Sequence, residues 1–327
     1  MTASPRPRIL TYQEEEIRAA VTDADALAGA EAAFRALAGN AVTLPPPVGL
    51  DIPAVRGEVH VKGAYVQGAP VFAFKVASGF YANTGRGLPS GSGLVLVFDA
   101  QTGFPLGLLA DNGYLTDLRT AAAGALAVRH LAAERPLEVA VLGTGVQGRM
   151  QLRLMRRVRE FSRVRAWSPS PDRRHAFAEE ASRELGVPVT AVESPEGAVA
   201  GADLVVTATP SREPLVQAEW LSPGVTVVAL GSDGPEKQEL HPRVLVTADK
   251  VVTDLTTQCV RLGELHHAVA AGAMEAADVY GELGPIVAGD LPGRESAHEI
   301  IVCDLTGVGV QDAAIAERAW MALTRTP

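Results

Sequence analysis

Residues 139–152, VAVLGTGVQGRMQL, decide the fold. A β-branched apolar run, opened by Leu137, feeds a glycine series, Gly143-x-Gly145-x-x-Gly148, and a helix-forming stretch follows at once. Strand, tight turn and helix in that order form a cradle for a diphosphate. Gly143 makes the turn, Gly145 lets backbone approach the anion, and Gly148 lets helix and strand pack closely. Thr144, Val146 and Gln147 complete the loop. Free N–H groups and the dipole at the helix start favour negative charge.

Working outward, the next strand, VRAW, ends at Ser168 without a carboxylate for a ribose 2′-hydroxyl. Arg173 and Arg174 stand close enough to receive a 2′-phosphate, so the reading is NAD or NADP with a slight lean to NADP. The helix after the glycines is expected to run to about Arg159. Strands and helices then alternate through VTAV, VVTATPS, VTVVALGS and KVVTD, which predicts a doubly wound parallel sheet of Rossmann type. In VVTATPS, Thr207, Ala208 and Thr209 offer small side chains against which a nicotinamide ribose would rest.

The first 126 residues read differently. Two short helices over 14–39 precede three β-type runs, EVHVKGAYV, PVFAFKVAS and a hairpin turning at DAQTG. This predicts an α+β domain over 1–126, with 304–327 packing back on it and 127–303 forming the dinucleotide domain. Within it, strand 71–74 is expected to deliver Lys75 into a loop of small residues, FKVASGFYANTGRGLPSGSG. A lysine there suits a carboxylate or imine, and Lys62 in the preceding strand would face the same cavity. Arg119, early in the alanine-rich helix TDLRTAAAGALA, can grip a carboxylate bidentately, and Thr120 can reach a phosphate oxygen. Asp233, in ALGSDGPEKQEL, follows a strand into a glycine-flanked turn and is the best-placed general acid/base.

Composition excludes other classes. Lys+Arg 29 against Asp+Glu 38 gives a net charge of −9, which disfavours nucleic acid and anionic membrane as partners. The 2 cysteines lie far apart without metal-ligand neighbours, so no metal site is expected. MTASPRPRILTYQEEEIRAA has no apolar leader segment, and no window suits a membrane span; a cytoplasmic location is the expectation.

Taken in order, the blocks FKVASGFYANTGRGLPSGSG, LLADNGYLTDLRTAAAGALA, VAVLGTGVQGRMQ, DLVVTATPS and ALGSDGPEKQEL resemble the ornithine cyclodeaminase/μ-crystallin family, closest to its ectoine-utilisation cyclodeaminase-like branch. The resemblance spans roughly residues 60–240, with a weaker match in TGVGVQDAAIA. It implies that 1–126 is a substrate and dimerisation domain of a homodimer, in which Lys75 and Arg119 handle the amino or imino group and carboxylate while Asp233 moves protons. It also implies hydride transfer at the α C–N bond of an amino or imino acid, with cyclisation and ammonia loss as in ornithine cyclodeaminase. Two alternatives stand: a one-way imine reductase or amino acid dehydrogenase, and a non-catalytic μ-crystallin-like binder. Ornithine-type members carry an arginine in the segment corresponding to LPPPVGL, and this chain has none there. Lys62 also stands where an acid would be expected to meet a side-chain amine.

Overall fold

The computed structural model describes residues 8–325. Residues 1–7, which begin the stretch read above as lacking a leader, lie outside the described residues. The chain divides into two compact units, Met1–Arg119 with Val308–Pro327, and Thr120–Gly307.

The first unit opens with β1 (Leu10–Gln13), α1 (Glu14–Ala20) and α2 (Asp23–Ala38). Thr22 stops one helix and starts the next: its hydroxyl accepts from Asp25 N while the Asp25 side chain takes Thr22 N. Then come β2 (Val42–Thr43), β3 (Val48–Ile52), β4 (Gly57–Val66), β5 (Val71–Phe80), β6 (Gly91–Asp99) and β7 (Pro105–Ala110). They form one sheet in the order β1-β7-β6-β5-β4-β2, with β3 also pairing β4; only β1 and β7 run parallel. The C-terminal helix, Gly309–Thr324, packs on one face of that sheet and against α2. That face is apolar, with Ala64, Ala73, Val95, Val97 and Leu109 buried on it.

One expectation fails here. Lys75 does not end a strand; β5 continues to Phe80 and pairs with β6 as far as Gly79 and Gly91. The small residues read as a loop are what the pairing needs: a Cβ on Gly93 would come within 2.8 Å of the Val76 carbonyl. Lys75 therefore lies mid-strand, directly opposite Lys62 of β4 and Val95 of β6.

Helix α3 (Tyr114–Leu131) leads into the second unit, and the division between units falls inside it, at Arg119 and Thr120. The second unit holds β8 (Leu137–Leu142), α4 (Val146–Met155), β9 (Phe161–Trp167), α5 (Pro171–Leu185), β10 (Val189–Ala191) and β11 (Leu204–Thr207). It continues with β12 (Arg212–Val216), β13 (Thr226–Ala229), β14 (Gln238–Leu240), β15 (Lys250–Thr253), β16 (Gly281–Glu282) and β17 (Ile301–Asp304). Eight strands form a parallel sheet, β10-β9-β8-β11-β13-β17-β15-β16, and β12 pairs separately with β14. The strand order reverses between β8 and β11, the place where doubly wound sheets bind ligands beyond their carboxyl ends. Helix α4 ends at Met155, short of Arg159, where the backbone tightens into turns from Arg157 and Val158 to Leu154 and Met155. No helix among the described residues is long and apolar enough to cross a membrane.

Candidate functional site

In the first unit, the face of the sheet that the C-terminal helix covers carries a compact cluster of buried charge. Lys75 is 3% exposed and Lys62 7% exposed, side by side on β5 and β4. Asp312, in the first turn of the C-terminal helix, places Oδ1 3.2 Å from Lys75 Nζ and 2.8 Å from Arg119 Nε. Arg119 Nη1 also donates to Gln311 Oε1 at 3.0 Å. Asp111 sits before α3, where Oδ2 accepts the Leu115 N–H at 2.7 Å and satisfies the start of that helix. Three buried polar atoms of this cluster lack a hydrogen-bond partner: Asp312 Oδ2, Gln311 Nε2 and Asp111 Oδ1. A buried polar atom is ordinarily satisfied by protein, water or ligand, so these three are where a polar group would be taken up.

Burial drives the Lys75 ammonium down to about pKa 7; Asp312 opposes the shift, and Arg119 and Lys62 add to it. Asp312 itself is pushed up by burial but pulled further down by Arg119, Lys75 and Lys62, so it stays a carboxylate. Burial raises Asp111. The result is a lysine that exchanges its proton near neutrality beside a fixed anion and two cations. Sequence reading found Lys75, Lys62 and Arg119 but missed Asp312 and Gln311. Their only signal was TGVGVQD, an acid and an amide at the start of an otherwise apolar helix.

In the second unit, Gly143 adopts φ 113°, a conformation suited to glycine, and a Cβ there would strike the Ala208 carbonyl. A Cβ on Gly148 would strike the Gly143 carbonyl, whereas Gly145 has nothing within 4 Å of its Cβ position. Gly145 precedes α4 without any side-chain cap, and Val146 is exposed beside it. Open space over an uncapped helix start fits a dinucleotide diphosphate. Thr144 Oγ1 donates to Ser168 Oγ at 2.9 Å, tying the loop to the end of β9, and Arg174 donates to the Ser168 carbonyl. Arg173 is exposed at the start of α5, and no acid stands at the tip of β9. Gln147 accepts from Gln151, which also donates to the Thr120 carbonyl at 3.0 Å.

Thr207 and Thr209 both turn their hydroxyls to one buried acid. Thr207 is fully buried, and its hydroxyl donates to Glu239 Oε2 at 2.7 Å. Thr209 Oγ1 donates to Glu239 Oε1 at 2.7 Å, with its own N–H on the same oxygen. Their hydroxyls serve a buried acid that sequence reading missed. Gly231 N fills the remaining position on Glu239 Oε2 at 2.8 Å. Glu264 in turn accepts the Glu239 and Leu240 N–H groups, and Asp304 accepts that of Leu265. Burial raises all three carboxyls, Asp304 to about 7 and Glu264 well above its ordinary value. Nothing in QEL or GELHH distinguishes such acids from surface ones before the fold places them.

Asp233 is half-buried and bound by Lys237, whose Nζ lies 2.7 Å from Oδ1. The Lys237 carbonyl meets Ser232 Oγ and His267 Nε2, so this turn is pinned from both sides. His266 contacts the Val260 carbonyl. Among the described residues no cluster of His, Cys, Asp or Glu is arranged to hold a metal.

The model of the ornithine cyclodeaminase/mu-crystallin family matches residues 8–321. An uncharacterized cyclodeaminase of Sinorhizobium fredii is 45% identical over 318 residues, 97% of this chain and 96% of that one. The iminosuccinate reductase of Paracoccus denitrificans is 36% identical over 310 residues, 94% of this chain and 95% of its own. Its structure with NAD+ matches with a TM-score of 0.87 at 34% identity, covering 97% of this chain and 96% of that one. The Δ1-pyrroline-2-carboxylate reductase of Thermococcus litoralis, solved with NADH and L-proline, matches with a TM-score of 0.92 at 28% identity, covering 96% and 97%.

Proposed function

Since the chain belongs to the ornithine cyclodeaminase/mu-crystallin family, we propose that it is a nicotinamide-dinucleotide enzyme reducing an α-imino acid to the amino acid. The observation that carries this reading is the buried Lys75–Asp312–Arg119 cluster with its three unpartnered polar atoms. A carboxylate there takes charge-assisted bonds from Arg119, and Lys62 adds positive field. Lys75, titrating near neutrality, hands a proton to the imino nitrogen or takes it back in the reverse direction. Asp312 holds Lys75 and Arg119 in fixed relation. In the other unit Asp233, oriented by Lys237, is the second proton carrier.

Gly143 to Gly148, with Thr144, Val146 and Gln147, would hold the diphosphate, and Ser168 and Arg173 would flank the 2′-position. Thr120 remains a candidate for a phosphate contact, and Ala208 lines the glycine turn through its carbonyl. The bound dinucleotide supplies the hydride and its acceptor. The absence of an acid at the β9 tip favours NADP.

The cyclodeaminase sequence is the second reading, since it shares the imine step. It would bring a side-chain amine beside three cations, which disfavours it. The experiment is a pair of assays. Consumption of NADPH or NADH with Δ1-pyrroline-2-carboxylate, or with an oxo acid plus ammonium, supports the reductase. Ammonia release from ornithine or 2,4-diaminobutyrate without net cofactor change supports the cyclodeaminase, and absence of both leaves the ligand-binder.

A further inference from the structure

We infer that Gln311 binds substrate directly: its Nε2 donates to the α-carboxylate, so that Gln311 and Arg119 together form the fork that holds it. The inference deepens the imine-reducing reading above and rests on it. Arg119 is buried, and two of its three nitrogens are already engaged, Nε with Asp312 Oδ1 at 2.8 Å and Nη1 with Gln311 Oε1 at 3.0 Å. A guanidinium grips a carboxylate bidentately through a pair of nitrogens, and here any pair includes Nε or Nη1. A carboxylate gripped by Arg119 alone would therefore share a nitrogen with Asp312 or Gln311.

The second donor is already in place. Gln311 must present Oε1 to Arg119, because a guanidinium only donates, and this leaves Nε2 with both hydrogens uncommitted. Gln311 is 1% exposed, so Nε2 is a buried donor without an acceptor, which is costly until a ligand or water meets it. Asp312 Oδ2, the unpartnered atom of the neighbouring residue, only accepts and suits an N–H of the substrate instead. Lys75 and Arg119 share the one Asp312 carboxylate, so the charge of the cluster also favours an incoming anion. The backbone fixes the amide. The Gln311 N–H bonds to the Val308 carbonyl at 3.0 Å, in the first turn of the C-terminal helix. A Cβ on Gly309 would come within 2.5 Å of the Gly63 carbonyl, so that turn lies directly on β4. Gln311 and Asp312 leave it side by side, one on each engaged nitrogen of Arg119.

The test compares the wild-type protein, Q311E and Q311M, each saturated with dinucleotide. Calorimetry measures affinity for L-alanine and L-proline against L-alaninamide and L-prolinamide. A bond from an amide N–H to a carboxylate corresponds to about a ten- to hundredfold preference for the acid. Q311E keeps an acceptor for Arg119 but no donor for the ligand, and Q311M is neutral and has neither. Both should lose about tenfold or more of the wild-type preference. A mere clamp on Arg119 predicts that Q311E keeps the preference, and a mere effect of charge predicts that Q311M keeps it. Either result overturns the inference. In a crystal structure of the wild type with dinucleotide and the tighter-binding acid, a carboxylate oxygen should lie about 3 Å from Gln311 Nε2. A water in that position, with the carboxylate elsewhere, also overturns it. Turnover of Δ1-pyrroline-2-carboxylate, or of pyruvate plus ammonium, decides the reaction separately. Turnover with an unmoved acid-to-amide ratio leaves the reaction standing and removes Gln311. Absence of turnover with every imine overturns the reaction instead, and the ratio still decides Gln311. A wild type that binds neither acid overturns both.

Discussion

Lys75 is a mid-strand ammonium whose counterion comes from residue 312, at the far end of the sequence. Removing that counterion separates its role from that of the lysine. In D312N, burial and the fields of Arg119 and Lys62 act on Lys75 unopposed, so its proton affinity falls further. The neutral limb of the kcat/KM profile, near pH 7 in the wild type, should therefore move toward acid by about one unit or more. A merely structural Asp312 would lower activity without moving the limb. Lys75 itself was legible because a lysine in a run of Phe, Ala and Val has no bland explanation. Asp312 was not, because its importance depends on which sheet face its helix covers.

At the scale of elements, the loops at the carboxyl ends of β11 and β13 are held by one side chain, Glu239 of β14. Its two oxygens each accept one main-chain N–H, from Thr209 and from Gly231. An amide cannot reproduce this, because either orientation of Gln sets its NH2 against one of those N–H groups. E239Q should lose about 1–3 kcal/mol in denaturant unfolding, the cost of an unsatisfied buried donor. Weaker dinucleotide binding should accompany it, since Ala208 lies between Thr207 and Thr209 and packs on Gly143. The tip of β9 with the start of α5 carries the cofactor preference. R173A should reduce the NADPH-to-NADH ratio of kcat/KM roughly tenfold, as loss of one charge-assisted contact would. An unchanged ratio would remove Arg173 from the 2′-site. The elements themselves were mostly visible in periodicity and glycines. The exception was β5, where small residues read as a loop prove to be the part of a strand that lets β6 approach.

For the whole molecule, two groups give opposite dependence of stability on pH. Asp304 is raised to about 7 in the folded second unit, so its contribution is complete below about pH 4 and is lost as pH rises through 7. Lys75 is lowered to about 7, so between there and its ordinary 10.5 the unfolded chain binds the extra proton and stability rises with pH. Thermal midpoints should therefore fall from weakly acid pH to neutrality and recover in alkali. D304N should flatten the acid side, and K75M the alkaline side.

The homodimer that the family resemblance implies would find its support on the other face of the first unit's sheet. Phe72 stacks on Phe98 at 5.0 Å there, and Val48 and Leu50 of β3 extend the apolar surface with 62% and 59% exposure. Burying such a patch against a second copy is the economical solution. Light scattering should show a dimer that L50D weakens, and a monomeric wild type would refute it.

The dinucleotide unit was determined by local sequence. A glycine loop between a strand and a helix, followed by alternating elements, specifies its geometry through backbone sterics and hydrogen bonding over a few consecutive residues. Lys62, Lys75 and Arg119 were likewise identifiable as cations set among apolar neighbours. Which carboxylate answers them, and which buried acid fastens Thr207 and Thr209, only the tertiary structure decided. Asp312 reaches Lys75 and Arg119 because the C-terminal helix folds back onto a sheet laid down some two hundred residues earlier. Glu239 reaches Thr207 because a separate pair of strands closes over the sheet's carboxyl ends. Charge pairing acts through space over a few ångströms, and distance along the chain carries no trace of it.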